Sequence, residues 1–333
     1  MISNKGKNDN SASLYNNLDS ILHELKYLLQ PLQSEIEKGF TELQWPIGLI
    51  LGNPRSGTTI FMQWLASLNI FSYPSNLLSR FAYAPFIGGL IQKVLFDDRY
   101  DTNGDFYDIK SGVNFESNLG KSSGALASNE FYHFFRNYMP NFEPKFLSDE
   151  ELAEVDFNGI IRGLASIEKV FCKPFITKGI MLQFHLERLF NYCPKFLFLY
   201  VKRDPLFVMQ SILLARKKFY GNVNNWYSIR PKEFDSLIRM DIYHQIAGQV
   251  YFTEQSIVNN LKNIPAKNKL IIHYKDFCKN PESIYSKLID LYNLNGYEVE
   301  KAYSGVKMFE NRNKKTISDQ EFDLLTDAYT SFK

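Results

Sequence analysis

Ile47-Gly48-Leu49-Ile50-Leu51 runs directly into Gly52-Asn53-Pro54-Arg55-Ser56-Gly57-Thr58-Thr59, and Ile60-Phe61-Met62-Gln63-Trp64-Leu65 follows. A short apolar run, a tight polar loop and a second apolar run read as strand, loop and helix. Such a loop turns successive backbone N–H groups, and the positive end of the helix, toward an anion. Gly52 and Gly57 permit close backbone approach, and Ser56, Thr58 and Thr59 add hydroxyl donors. A nucleoside-triphosphate loop follows G-x-x-x-x-G-K-[ST], its lysine reaching the β- and γ-phosphates. Here Gly57 keeps that spacing from Gly52, but Thr58 stands at the lysine position. A P-loop kinase or NTPase acting on a magnesium triphosphate is therefore disfavoured, and it stays as the rival enzyme class. The loop's cation is Arg55, inside the turn. On this stretch alone, a plain strand–helix turn remains the alternative.

Outward from the loop, the pattern repeats. Val170–Thr177 is β-rich, Met181–Tyr192 reads as helix, Phe196–Val201 is a wholly apolar strand and Pro205–Arg216 reads as helix. A strand at Lys269–His273 precedes a helix opening at Pro281, where proline suits the first turn. Apolar strands alternating with helices predict an α/β fold of three layers, α/β/α, with a central parallel sheet and a P-loop-like plan. Residues 1–12 read as a disordered tail and 13–44 as an N-terminal helical segment. Its stripe of Leu14, Leu18, Ile21, Leu22, Leu25, Leu28 and Leu29 ends at Pro31. The stripe either lays the helix on the core or docks a partner, including a second copy of the chain. The mixed signs of Asp19, Glu24 and Lys26 argue against an anionic membrane. Residues 45–333 read as one domain, interrupted by a loop or lid at about 97–128 rich in Gly, Ser, Asn and Asp. Before it, Phe71, Tyr73, Phe81, Tyr83 and Phe86 either pack the core or wall a pocket.

Composition narrows the field. The 333 residues are 45% hydrophobic and 22% charged, and 38 Lys plus Arg against 36 Asp plus Glu leave a net charge of +2. That is neither the signature of disorder nor the basic surplus of a nucleic-acid binder. Cys172, Cys193 and Cys278 lie far apart, with neither a disulfide framework nor a metal spacing. No run of about 18 apolar residues predicts a membrane span. The polar start MISNKGKNDN lacks a secretory apolar region, so a cytoplasmic, reducing location is expected.

A second anion motif lies downstream. Phe198-Leu199-Tyr200-Val201 leads into Lys202-Arg203-Asp204-Pro205, and Ser211 follows eight residues after Arg203. Arg203 then ends a strand, Ser211 sits about two turns into the next helix, and both reach one anion at the sheet's carboxyl edge. With these two motifs in order, the chain resembles the sulfotransferases that use 3′-phosphoadenosine 5′-phosphosulfate (PAPS). The resemblance implies that Pro54-Arg55-Ser56-Gly57-Thr58, with Thr59, holds the 5′-phosphosulfate and that Arg203 and Ser211 hold the 3′-phosphate. It extends weakly through Ile271-Ile272-His273-Tyr274-Lys275-Asp276-Phe277 to Asn280-Pro281, with Lys275 where the family usually has glutamate. Arg312, with Lys314 and Lys315, stands where the family closes a basic segment over the nucleotide, although the usual G-x-x-G-x-W-[KR] form is absent; a solvated basic turn is the alternative.

The implied reaction is in-line transfer of a sulfonate from PAPS to a hydroxyl or amine of a carbohydrate or small metabolite, leaving PAP and needing no metal. Catalysis of that kind is mostly positioning and cationic stabilisation of the leaving oxygen. An arginine does not give up its proton, so Arg55 would act as a bidentate clamp. Lys178, in Ile176-Thr177-Lys178-Gly179-Ile180, is a second cation candidate or an ordinary solvated lysine. The cytosolic small-molecule branch reads K-[TS]-H here, and Ile180 replaces its histidine base, which moves the likeness toward bacterial and carbohydrate-type branches. Candidate bases are Glu130, His133, Glu116 and His185, of which Glu130 is preferred. Apolar neighbours are expected to raise its pKa toward neutrality, and His133 lies three residues on, on the same face if the stretch is helical. A non-catalytic nucleotide-binding scaffold, docking through the 14–29 helix, is the third alternative.

Overall fold

Strands at 47–51 and 196–202 are apolar on both faces because both faces are covered. The structure, a computed structural model, describes residues 17–333 except 102, 106–116, 119–120 and 142. The chain runs through α1 (Leu18–Glu37), β1 (Ile47–Leu51), α2 (Thr58–Ser67), α3 (Asn76–Arg80), α4 (Pro85–Phe96) and a two-residue-per-strand ladder of β2 (Ser117–Asn118) with β3 (Lys121–Ser122). It continues through α5 (Tyr132–Arg136), α6 (Asp149–Ala153), α7 (Phe157–Phe171), β4 (Ile176–Lys178), α8 (Leu186–Tyr192), β5 (Phe196–Lys202) and α9 (Pro205–Tyr220). The last part comprises α10 (Phe234–Leu237), α11 (Ile242–Lys262), β6 (Lys269–His273), α12 (Tyr274–Lys279), α13 (Pro281–Asn293) and α14 (Asp319–Thr330).

β4, β1, β5 and β6 form one parallel sheet in that order. Leu49 of β1 stands opposite Thr177 on one side and Phe198 on the other, and Tyr200 of β5 stands opposite Ile271. Alternate residues serve opposite layers. Leu49, Leu51, Phe196, Phe198 and Tyr200 pack with residues of α5, α7, α8 and α11. Ile50, Leu197, Leu199 and Val201 pack with α2, α12 and α13. A third cluster joins α9, α11 and α14. The α/β fold with a parallel sheet is thus as the sequence predicts, and its carboxyl edge is where the phosphate loop, Lys178 and Arg203 emerge.

Three boundaries differ. The β-rich reading from Val170 fails at its start, because α7 continues to Phe171. Ile160, Ile161, Leu164, Ile167 and Val170 keep helical spacing on one buried face, and that face carries the helix through the β-branched residues. Helix α8 begins only at Leu186, after a turn through Met181–Phe184. Helix α1 does not stop at Pro31 but runs through it to Glu37. Contacts to the body hold the part beyond the proline. Gln33 Nε2 donates to Glu37 Oε1 at 2.7 Å, the Tyr138 hydroxyl donates to the same oxygen at 3.2 Å, and Phe86 N donates to Gln33 Oε1 at 3.2 Å. Leu18, Ile21, Tyr27, Leu28 and Leu32 stay exposed, so the stripe is only partly laid on the core. The expected tail 1–12 and residues 106–116 of the expected lid lie outside the described residues. Of the aromatic stretch, Phe71 is buried against Tyr292, with ring centroids 4.9 Å apart, and packs the core.

Candidate active site

The loop between β1 and α2 needs its glycines. Gly57 has φ +99°, and a Cβ there would lie 2.5 Å from the Tyr274 ring. Gly52 has φ +153°, and a Cβ there would lie 2.6 Å from Ser56 Oγ. Arg55 itself sits in the left-handed region at φ 69°, a strain that the surrounding contacts must offset. Gly57 is the N-cap of α2 and has no side chain to satisfy the first-turn N–H groups. The Ser56 hydroxyl is buried and has no hydrogen-bond partner among the described residues. Uncapped backbone donors beside an orphaned buried hydroxyl fit an oxyanion with several acceptor oxygens.

The second anion motif closes on the first. Arg55 Nε donates to Ser211 Oγ at 3.1 Å, and Arg203 Nη1 donates to the Arg55 carbonyl at 2.9 Å. Arg203 also donates through Nε to Asn313 Oδ1 at 2.7 Å and through Nη2 to the Arg312 carbonyl at 2.9 Å. Its guanidinium lies over the Tyr274 ring, 4.8 Å from the centroid. Burial lowers the pKa of Arg203; Tyr274 works against that shift and the charge of Arg55 adds to it. Next to Ser211, Gln210 donates to the Lys314 carbonyl at 2.9 Å and accepts from Thr316 N at 2.8 Å. The segment 312–316 is therefore stitched to α9 and, through Arg203, to the β1–α2 loop.

The opposite flank is built around Lys178, the last residue of β4. Only 4% exposed, it donates to Thr59 Oγ1 at 2.9 Å and pairs with Glu130 Oε1 at 2.8 Å. Burial alone would raise the Glu130 pKa, but Lys178, the Tyr132 hydroxyl and Arg55 hold it below the ordinary carboxylate range. Glu130 is thus a carboxylate at neutral pH, and the rise expected from apolar neighbours is reversed by the ammonium beside it. Burial raises the pKa of the Tyr227 hydroxyl, and the charge of Arg55 works against that rise. Glu130, Lys178 and Thr59 line a cavity of about 660 Å³ whose walls include Asn76, Arg80, Ser128, Asn129 and Tyr132.

The structure brings together Arg55, Ser56, Gly57, Thr59, Lys178, Glu130, Arg203 and Ser211, with Pro54 and Thr58 in the same loop. His133 stands apart. Phe131 takes a left-handed conformation at φ 58°, so α5 starts after Glu130 and the expected shared helix face does not form. The His133 ring lies instead near Tyr83, with centroids 6.4 Å apart, and the residue is exposed. His185 accepts from Leu147 N through Nε2 at 3.0 Å, and burial pushes its pKa down to about 4. Glu116 lies outside the described residues. The Arg312 side chain is 74% exposed and points toward Glu310, so its carbonyl rather than its guanidinium meets the site. Tyr132, Tyr227, Tyr274, Gln210 and Asn313 belong to the site without being singled out by the sequence reading. Tyr132 adjoins Glu130 and Tyr274 opens the weakly matching segment, whereas nothing local marks Tyr227 or Asn313.

A profile of the sulfotransferase family matches residues 46–298, well over half of the chain. The chain belongs to the sulfotransferase family. Among solved structures, the sulfotransferase STF9 of Mycobacterium avium superposes with a TM-score of 0.54 at 10% identity, over 94% of this chain and 76% of that one, which shows a shared fold. The sulfotransferase STF1 of Mycobacterium tuberculosis gives a TM-score of 0.48 at 13% identity, over 94% and 82% of the two chains. The sulfotransferase domain of the Synechococcus olefin synthase gives 0.40 at 16% identity, over 87% and 95%. No curated protein matches the chain. Among the described residues of this sulfotransferase, no helix is long and apolar enough to cross a membrane, and no group of His, Cys, Asp and Glu could hold a metal ion.

Proposed function

We propose that this sulfotransferase takes its sulfonate from PAPS and transfers it to a hydroxyl or amine of a carbohydrate or small metabolite, releasing PAP. The observation that carries this is the Arg55–Ser211 hydrogen bond of 3.1 Å, which joins motifs 156 residues apart into one two-ended anion site. The 5′-phosphosulfate sits in the loop of Pro54 to Thr59, on the N-terminus of α2. The 3′-phosphate sits on Arg203 and Ser211, beneath the segment that contains Arg312 and Asn313. Glu130 takes the acceptor's proton as the acceptor oxygen bonds to sulfur. The bond from sulfur to the 5′-phosphate oxygen breaks on the far side, and its electron pair leaves with PAP. Arg55 and Lys178 stabilise the charge that gathers on the sulfonate and the leaving oxygen. As Lys178 turns toward that charge, it releases Glu130 and raises its basicity. Free thiols at Cys172, Cys193 and Cys278 support a reducing, cytoplasmic location.

Calorimetric titration with PAP and, separately, with ATP–Mg²⁺ tests the nucleotide assignment. Binding of ATP–Mg²⁺ without PAP would overturn it in favour of a kinase or NTPase. Labelled PAPS incubated with an extract of glycans and metabolites, followed by mass analysis, tests turnover. PAP binding with no sulfated product would favour the non-catalytic scaffold.

A further inference from the structure

Among the described residues, the walls of the acceptor cavity leave one charge unbalanced. Three charged side chains among the described residues line it: Lys178, Glu130 and Arg80. The first two neutralise one another at 2.8 Å. Arg80, at the end of α3, has no carboxylate within ion-pair distance among the described residues. The rest of the polar lining, Asn76, Ser128, Asn129, Thr59 and Tyr132, is neutral. A volume of about 660 Å³ accommodates a ligand large enough to touch both ends.

The helix that carries Arg80 is also held at a fixed place relative to Glu130. The strip that carries Glu130 is bonded to α3 by Asn76 N to the Ala127 carbonyl at 2.8 Å, Leu77 N to the Ala125 carbonyl at 3.0 Å and Asn129 N to the Pro74 carbonyl at 2.8 Å. Asn129 Nδ2 donates to Asn76 Oδ1 at 2.9 Å. Ser75 Oγ caps α3 by accepting from Leu78 N at 2.9 Å. Glu130 and the helix end that carries Arg80 thus belong to one hydrogen-bonded unit, a ruler for the acceptor.

We propose that the acceptor carries an anionic group, a carboxylate or phosphate, seated on Arg80 while its hydroxyl meets Glu130. This rests on the sulfonate-transfer assignment above and narrows it. A guanidinium binds either oxyanion through two parallel hydrogen bonds. A cationic amine acceptor is disfavoured, because its charge would add to that of Arg80.

The test uses matched probes: phenol, 4-hydroxybenzoate and 4-hydroxyphenyl phosphate, each titrated into the full chain saturated with PAP. The expected result is that at least one anionic probe binds more tightly than phenol, by about 10- to 100-fold. Arg80→Met should abolish that preference without changing PAP affinity, and Arg80→Lys should restore part of it. Comparing the carboxylate with the phosphate identifies which anion the ruler takes. Equal binding of all three probes, no binding of any, or a preference that survives Arg80→Met would overturn the proposal. If PAP itself fails to bind, the nucleotide assignment falls; the probes are then titrated without it, and the same comparison decides Arg80.

Discussion

Replacing Lys178 with methionine removes one charge and keeps much of the side-chain volume, so it isolates the 2.8 Å pair with Glu130. Removing one partner from a buried pair costs about 3–5 kcal/mol. Glu130 keeps 34% of its side-chain surface exposed, so solvent screens part of that loss. We expect roughly 2 kcal/mol at neutral pH, or about 30-fold in the folding equilibrium. The sign of the pH dependence follows from the Glu130 pKa. In the wild type it is held below the ordinary range, so the pair's stabilisation is present above the unfolded carboxylate pKa and is lost as pH falls through the folded value. Without Lys178, burial dominates and the pKa rises above the ordinary range. The variant is then penalised at neutral pH and recovers as acid protonates Glu130. Thermal denaturation across pH reads this directly, and Lys178→Met with Glu130→Gln should regain part of the loss. The acid limb of kcat/KM should move upward in the single variant, with turnover falling about 10²–10³-fold. An equal stability loss at every pH, with the acid limb unmoved, would refute the coupling.

Other substitutions probe the remaining parts. Gly57→Ala should cost roughly 1–3 kcal/mol through positive φ and abolish PAP binding, measured by denaturation and calorimetry, because its methyl meets the Tyr274 ring. Arg203→Met should weaken PAP binding about 100-fold and speed proteolysis within 308–316; unchanged proteolysis would sink the stitching role. Glu168, which accepts from Gln44 N at 2.9 Å, has its pKa pushed up to about 8 by burial. Its contribution to stability is full below the unfolded carboxylate pKa and is lost as pH rises from there through about 8. Glu168→Gln should therefore flatten the stability profile over that window, read by denaturant titration at a series of pH values.

The strand–loop–helix turn at 47–65 and the placement of Arg203 with Ser211 were legible in the sequence because their signals are local. A strand, two glycines at fixed spacing and a helix start define the loop, and Arg203 with Ser211 needs only one strand end and two helical turns. The sheet was legible for the same reason, through continuous apolar runs such as Phe196–Val201. What escaped depends on distant contacts. Pro31 would end a lone helix, yet Glu37, Tyr138 and Phe86 hold the chain helical beyond it. The Glu130–His133 face required a helix that Phe131 interrupts with a left-handed residue, and phenylalanine does not advertise that conformation. Asn313 meets Arg203 across 110 residues, with no spacing to announce it.

The stitching of Arg203 to Arg55, Asn313 and Arg312 bears on how this enzyme can be re-engineered. The end proposed above for the nucleotide is an interlocked assembly: Arg203 bonds both the β1–α2 loop and the segment 312–316 and lies over Tyr274, so a transplanted loop would arrive without its neighbours. The end proposed above for the acceptor is closer to an exchangeable cassette. Its wall from Gly124 to Glu130 and helix α3 are bonded to each other, and Lys178 bridges that wall to Thr59 of the nucleotide end. Libraries aimed at new acceptors therefore belong in α3 and that strip, with Lys178 and the nucleotide residues left intact.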